Sequence, residues 1–244
     1  CPRLDEMTAS NPGKLYLVPT PIGNLEDITF RAVRILKEAD LVLCEDTRRA
    51  AVLFQKYGIR TPRESYHEHN KFHKTPGVIR RIREGGKIAL ISEAGTPGIS
   101  DPGFHLAREV IASRLLLEVL PGPSAVITAL VGSGLPTDRF AFEGFLPAKK
   151  GRRARLESLK DDPRTLIFYE APHRLKRTLE DLLNTLGDRQ AAWGREISKI
   201  YEEFERGELS GLLRRLEVQT PKGEFTLIVE GCTRRLKKNQ SERI

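Results

Sequence analysis

Four short apolar runs, LYLV at 15–18, LVLC at 41–44, IALIS at 88–92 and LLLEVL at 115–120, punctuate the first half of the chain. Segments with helical spacing separate them. Their alternation with helices predicts a parallel α/β sheet. In DITFRAVRILKEAD (27–40), Phe30, Val33, Leu36 and Ala39 recur at helical spacing, which predicts one inward face, and Asp27 or Thr29 can cap the start.

The pattern breaks at LPGPSA (120–125), ahead of the helical AVITALVGSG. The expected organisation is a flexible segment over 1–13, an α/β domain over 14–121, a second α/β domain over 122–233 and a basic tail over 234–244. FAFEGF, TLIFYE, QAAWG and EFTLIVEG read as strands of the second domain. Between them Leu175, Leu179, Leu182, Leu183 and Leu186 form one helical stripe, with Gly187 where a helix stop belongs. That stripe is core and carries no function.

The balance of 41 Lys and Arg against 33 Asp and Glu, a net charge of +8, favours a polyanionic partner such as nucleic acid. KKGRRAR (149–155) and RRLKK (234–238) are its densest segments, each taken singly better read as solvated surface. No apolar run approaches the roughly 20 residues of a membrane-spanning helix. The first residues lack a secretory leader, and the single methionine, Met7, is the expected start of translation. Three widely separated cysteines without a C-x-x-C pair argue against a disulfide framework or a zinc knuckle and fit a reducing cytoplasm.

Chemistry-bearing residues gather where strands end. VPTPIGN (18–24) closes the first strand; it is neither G-x-G-x-x-G nor a phosphate-cradling loop, and its prolines stiffen a turn suited to a pocket wall. SEAGTPGISDPG (92–103) follows a later strand with three glycines, two prolines and two acids. In an open α/β sheet both loops face one crevice off the carboxyl ends of the strands, although each also reads as a plain turn. CEDTR (44–48) and SYHEHN (65–70) sit on the same rim, and FYEAPHR (168–174) ends a second-domain strand with Pro172 opening the next helix. His67, His69 and His73 lack a common zinc spacing, so hydrogen bonding is their expected role and no metal is expected.

Taken in order, these motifs with GLPTDRF, GFLP and KGEFTLIVEG closely resemble the ribosomal RNA small-subunit methyltransferase I family of the tetrapyrrole methylase superfamily, from Leu15 to about Gly231. The resemblance implies a two-lobed α/β fold, with a mostly parallel first sheet, a mixed second sheet and S-adenosylmethionine in the cleft between the lobes. It also implies a homodimer and 2′-O-methylation of a cytidine in the decoding region of 16S ribosomal RNA in the small subunit. Carried over by position, it assigns the cofactor to Pro19, Pro21, Ile22 and Gly23, to Gly95, Thr96, Pro97, Ile99 and Ser100, and to Ser124, Ala125 and Tyr169. The tetrapyrrole-methylating relatives carry a G-D-P-type loop where this chain has Gly95-Thr96-Pro97, which favours the RNA branch. Glu93 stands where the family usually has Asp, and Gly194 where a larger residue is common. Many members continue into a C-terminal helical domain; here RNA docking is expected to rest on the two lobes, the dimer and the basic tail.

A sulfonium methyl is already activated, so the protein's tasks are to align the 2′-oxygen and to take up its proton. Glu45, Asp46, His69, Glu93, Asp101 and Glu170 are candidate bases or orienting groups, with Asp46 and then Glu93 preferred. Arg48 and Arg174 are expected RNA contacts because guanidinium pairs bidentately with phosphate, and Lys149, Lys150, Arg152 and Arg153 because they form a dense basic cluster. Two rivals stay open: a cousin that methylates a small molecule, and an RNA-binding protein with a vestigial cofactor pocket.

Overall fold

The alternation read from the sequence takes shape in a computed structural model that describes residues 12–218 and 221–232. The expectations for the first eleven residues and for the tail over 234–244 lie outside the described residues. Contacts divide the chain into two compact units, Cys1–Ser124 and Ala125–Ile244.

The first unit contains β1 (Lys14–Val18), α1 (Phe30–Glu38), β2 (Leu41–Cys44), α2 (Thr47–Tyr57), β3 (Arg63–Ser65), α3 (Lys71–Arg83), β4 (Lys87–Ile91), α4 (Gly103–Ala112) and β5 (Leu116–Val119). Its sheet is parallel throughout, in the order β3-β2-β4-β1-β5. Alternate strand residues point to opposite faces. Tyr16, Val18, Val42, Cys44, Ala89 and Ile91 pack with Ala32, Ile35 and Leu36 of α1 and Leu53 and Phe54 of α2. Leu15, Leu17, Leu41, Leu43, Ile88 and Leu90 pack with Val78, Ile79 and Ile82 of α3 and Leu106 and Val110 of α4. Both faces are thus covered, which is why these strands read as continuous apolar runs.

The predicted inward face of α1 needs one correction. Thr29 caps the helix by accepting the Ala32 N–H, and Leu36 and Ala39 are buried, but Phe30 is 99% exposed. At 100° per residue Phe30 lies about 120° round the helix from Leu36, off the stripe that Ala32 and Ile35 complete.

In the second unit come α5 (Ala125–Ser133), β6 (Phe140–Phe145), α6 (Arg152–Ser158), β7 (Thr165–Glu170), α7 (Pro172–Leu186), β8 (Gln190–Arg195), β9 (Glu203–Glu208), α8 (Leu209–Val218) and β10 (Phe225–Val229). The sheet is mixed, ordered β6-β7-β10-β8-β9, with only the β6–β7 pair parallel. Leu175, Leu179, Leu182 and Leu186 of α7 are fully buried in the core with Leu166, Phe168 and Leu227, as the stripe predicts. β9, sequence EFERGE, has no apolar alternation and is missed by pattern reading; it is an edge strand, where charges are tolerated. Its Phe204 accounts for Gly194: a Cβ there would sit 3.0 Å from the Phe204 ring and 2.7 Å from Ile197.

Arg189 is 1% exposed and donates to three carbonyls, those of Lys160, Leu186 and Glu230. Replacing Arg189 with Met should therefore lower the unfolding free energy by about 3 kcal/mol, the order expected for several charge-assisted bonds lost together. Phe30→Ser should change it by less than about 0.5 kcal/mol, as for other exposed sites. Urea titrations of both variants against the parent protein check the pair.

Candidate functional site

β1 and β4 are neighbours in register, Val18 opposite Ile91, yet the chain leaves β1 for α1 on one face and β4 for α4 on the other. Diverging connections at adjacent strand ends open a crevice at the carboxyl edge of the sheet. Thr20 and Gly95 pair across it, the Thr20 N–H donating to the Gly95 carbonyl at 2.9 Å and the Gly95 N–H to the Thr20 carbonyl at 3.0 Å. The Thr20 hydroxyl donates to the Ser92 carbonyl at 3.1 Å, and the Ser92 hydroxyl to the Gly95 carbonyl at 2.9 Å. A third loop, after β5, joins them: Thr96 Oγ1 donates to the Pro123 carbonyl at 3.2 Å, and a Cβ on Gly122 would lie 2.5 Å from Pro19 Cβ.

The structure therefore brings Pro19, Ile22, Gly95 and Thr96 together. Pro19 and Pro97 are buried, Pro21 and Ile22 half-buried, and Gly23, Ile99 and Ser100 exposed. Gly95 and Gly98 have φ of +81° and +93°, a region that disfavours a side chain, so glycine is required there by the backbone itself. Ser124 and Ala125 lead directly into α5. Tyr169 belongs to β7 of the second unit, where its ring packs against Phe142 and Phe145 and burial raises its pKa. Sequence reasoning missed the Thr20–Ser92 latch and Pro123, since nothing in their spacing marks them.

Four carboxylates line this rim, with different surroundings. Asp46 is the N-cap of α2: its Oδ1 accepts the Arg48 N–H at 2.8 Å, and the Arg48 guanidinium spans both oxygens at 3.3 and 3.1 Å. Those bonds hold its pKa below the ordinary value, which makes the favoured catalytic candidate a weaker base. Glu93 pairs with Arg49, a residue the motif reading passed over. Asp101 Oδ1 accepts the Gly98 and Gly103 N–H groups at 2.7 Å each, while its Oδ2 is buried with no partner among the described residues. Burial raises the Asp101 pKa against those two bonds. Burial likewise raises Glu45, and the charges of Asp101 and Glu93 push it further, with Arg49 partly offsetting them.

Beyond β3, Asn70 turns back on its own loop. Its Oδ1 accepts the His67 N–H at 2.8 Å, its Nδ2 donates to the Ser65 carbonyl at 3.3 Å, and the same Nδ2 lies 3.1 Å from His67 Nε2. His69 is exposed and stacks edge-on with His67. Among the described residues no group of three His, Cys, Asp or Glu could hold a metal ion.

Two second-unit assignments require correction. Arg152 is 5% exposed, donating to Asp181 at 2.7 Å, Thr178 at 2.8 Å and the Pro147 carbonyl at 3.2 Å, so it anchors the loop and is no phosphate contact. Glu170, a candidate base, is buried and engaged by the Ala171 N–H, the Thr178 hydroxyl and Arg174. Arg174 also donates to the Leu146 carbonyl, so these residues of FYEAPHR pin the GFLP segment onto α7. Lys149, Lys150 and Arg153 are exposed, and Arg48 is exposed but held by Asp46. The capping geometry predicts that Asp46→Ala lowers the urea midpoint of unfolding, while Asp46→Asn, which still accepts the Arg48 N–H, leaves it in place.

The profile of the tetrapyrrole (corrin/porphyrin) methylases matches residues 14–213. The chain is 53% identical over 220 residues to the ribosomal RNA small subunit methyltransferase I of Halalkalibacterium halodurans, covering 90% of this chain and 76% of that protein. It is 46% identical over 219 residues to the protein of the same name from Thermotoga maritima, covering 90% and 99%. The fold is shared with uroporphyrin-III C-methyl transferase from Thermus thermophilus, solved with S-adenyl homocysteine, at a TM-score of 0.61 and 21% identity over 88% of this chain and 97% of that one.

Proposed function

This chain belongs to the ribosomal RNA small subunit methyltransferase I family within the tetrapyrrole methylases, and from that premise we propose that it uses S-adenosylmethionine to methylate small-subunit ribosomal RNA, at the 2′-hydroxyl of a cytidine ribose in the decoding region. The observation that carries the reading is the Thr20–Gly95 pairing, which fixes two of the expected cofactor segments side by side at the switch point of the sheet. The residues fit such a donor. Positive φ at Gly95 and Gly98 leaves backbone bare of side chains, and the acids beyond β2 and β4 suit a molecule whose reactive centre is a cation. Segments 19–23 and 95–100, with Ser124, would hold it. When bound it supplies a methyl group already activated on a sulfonium. The compartment in this reading is the cytoplasm and the assembly a homodimer.

The chain's own part is alignment and proton removal. Glu45 replaces Asp46 as the proposed base. Asp46 is committed to Arg48 and Glu93 to Arg49, whereas Glu45 is half-buried among like charges that make its ionised form more basic. A Glu45 oxygen would take the 2′-hydroxyl proton as the oxygen–carbon bond forms.

The test is methyl transfer from labelled cofactor to purified small subunits, naked ribosomal RNA and a tetrapyrrole, followed by nucleoside analysis. Labelled 2′-O-methylcytidine is expected, and transfer only to the tetrapyrrole would favour a small-molecule enzyme. Glu45→Gln should cut turnover roughly a hundredfold, and Asp46→Asn should leave it nearly unchanged. Because the Glu45 pKa is raised, kcat/KM should fall on acidification at a pH above the ordinary glutamate range as the base becomes protonated, and that acid limb should vanish in Glu45→Gln. Equal turnover in Glu45→Gln would remove it as the base.

RNA binding should weaken steeply with salt, and each true phosphate contact among Lys149, Lys150 and Arg153, when neutralised, should lower the log–log slope by about 0.7 for single-stranded RNA. Filter binding across a salt series measures it. An unaltered slope in the triple variant would make this segment plain solvated surface.

A further inference from the structure

The solvent face of α3 carries an aromatic ring and a charge pattern that the reaction as described does not use. The helix, KFHKTPGVIRRIR, has five Lys or Arg and no acid. The acids beside it are already taken: Glu68 pairs with Lys71, and Glu64 pairs with Lys74 and, at 2.9 Å, with Arg81. Arg80 and Arg83 are exposed, and neither side chain has an ion pair among the described residues. Cations in the last turn of a helix complement its dipole, which accounts for arginines there but not for what stands at the other end. There Phe72 is 70% exposed, yet its ring is held in place. His105 of α4 meets it edge-on with centroids 4.8 Å apart, and the Lys71 ammonium lies over one face, 5.1 Å from the centroid. At 100° per residue Phe72, Arg80 and Arg83 fall within about 80° of one another, and at 1.5 Å rise the arginines lie about 12 and 16.5 Å along the axis from the ring.

The position links this face to the proposed site. α3 follows β3 and so starts at the carboxyl edge of the sheet, with Phe72 at the rim and the arginines leading away from it. The charge of Glu68, four residues before the ring, is felt by Glu45, the proposed base. His105, which steadies the ring, lies two residues past the 92–103 loop. An oriented aromatic face suits an unpaired nucleobase, and guanidinium groups beyond it suit the phosphates of the same strand. An apolar protein surface docked here would instead desolvate two unpaired charges at a cost. We infer that the outer face of α3 is a docking track for the substrate RNA: Phe72 stacks on an unpaired base near the nucleotide being methylated, and Arg80 and Arg83 hold phosphates farther along the strand. This rests on the RNA-methyltransferase reading and deepens it by naming where the RNA lies on the first unit.

The track is tested by filter binding of the full chain to purified small subunits across a salt series, with the cofactor dissociation constant measured beside it. Phe72→Leu keeps apolar bulk without the π face and should weaken binding about tenfold at every salt concentration, whereas Phe72→Trp should hold it near the parent value. Arg80→Gln and Arg83→Gln should each lower the log–log salt slope by about 0.7, the value for a phosphate contact to a single strand. The slope in Phe72→Leu and the cofactor constant in every variant should stay at the parent values. All three positions are exposed, so the variants should also keep the parent's urea midpoint. Parent-like binding in Phe72→Leu, or an unaltered slope in the double arginine variant, overturns the inference. So does a variant that alters the sedimentation of the chain and leaves its RNA binding intact, which would give the face to a second copy. Parent protein that neither binds nor methylates RNA would remove the underlying reading, whereas normal parent activity with indifferent variants removes the α3 track alone.

Discussion

The pairing of Thr20 with Gly95 is the constraint from which the rest of the first unit's rim follows. Adjacent parallel strands whose connections leave for opposite faces cannot close their own ends, and the gap would expose backbone groups of both loops. Two backbone hydrogen bonds and two hydroxyls, from Thr20 and Ser92, answer those groups across the gap. The left-handed turn at Gly95 is what lets the chain return to Thr20, and Gly122 against Pro19 lets the third loop approach as closely. The result is a rigid rim that presents backbone at three strand ends.

Electrostatics divides this basic protein in a way that composition does not show. Glu45, Glu93 and Asp101 interact in the first unit, restrained by Arg49 and by the amides of Gly98 and Gly103. In the second unit the guanidinium of Arg152 is buried against Asp181 and Thr178, and that of Arg189 answers three carbonyls. Two arginines that count toward the net charge are thus occupied inside the fold. Lys149, Lys150 and Arg153 flank the Arg152 anchor, so burial of one basic residue displays its neighbours.

The same reasoning separates the carboxylates. Asp46 and Glu45 are adjacent in sequence and the sequence favoured Asp46, yet Asp46 closes a helix end and pairs with Arg48 while Glu45 is half-buried among acids. Their basicities part in opposite directions because desolvation and neighbouring charge are properties of the folded rim. FYEAPHR shows the converse: Glu170 and Arg174 had chemically suggestive types, and both are spent on holding the GFLP segment.

By itself the sequence determined the parallel order-forming runs of the first unit, the α7 leucine stripe, the helix stop at Gly187, a start of α1 at Asp27 or Thr29, and the Gly/Pro loops at the ends of β1 and β4. Each rests on local periodicity or on backbone conformations that few residues adopt, and these survive whatever packs nearby. Only the tertiary structure decided that Phe30 faces outward, that Arg152 faces inward, that β9 exists as an edge strand with Phe204 requiring Gly194, and that Asp46 and Glu93 are paired with arginines. Exposure, close approach and proton affinity depend on what another part of the chain brings within a few ångströms, and spacing along a sequence does not encode that neighbour.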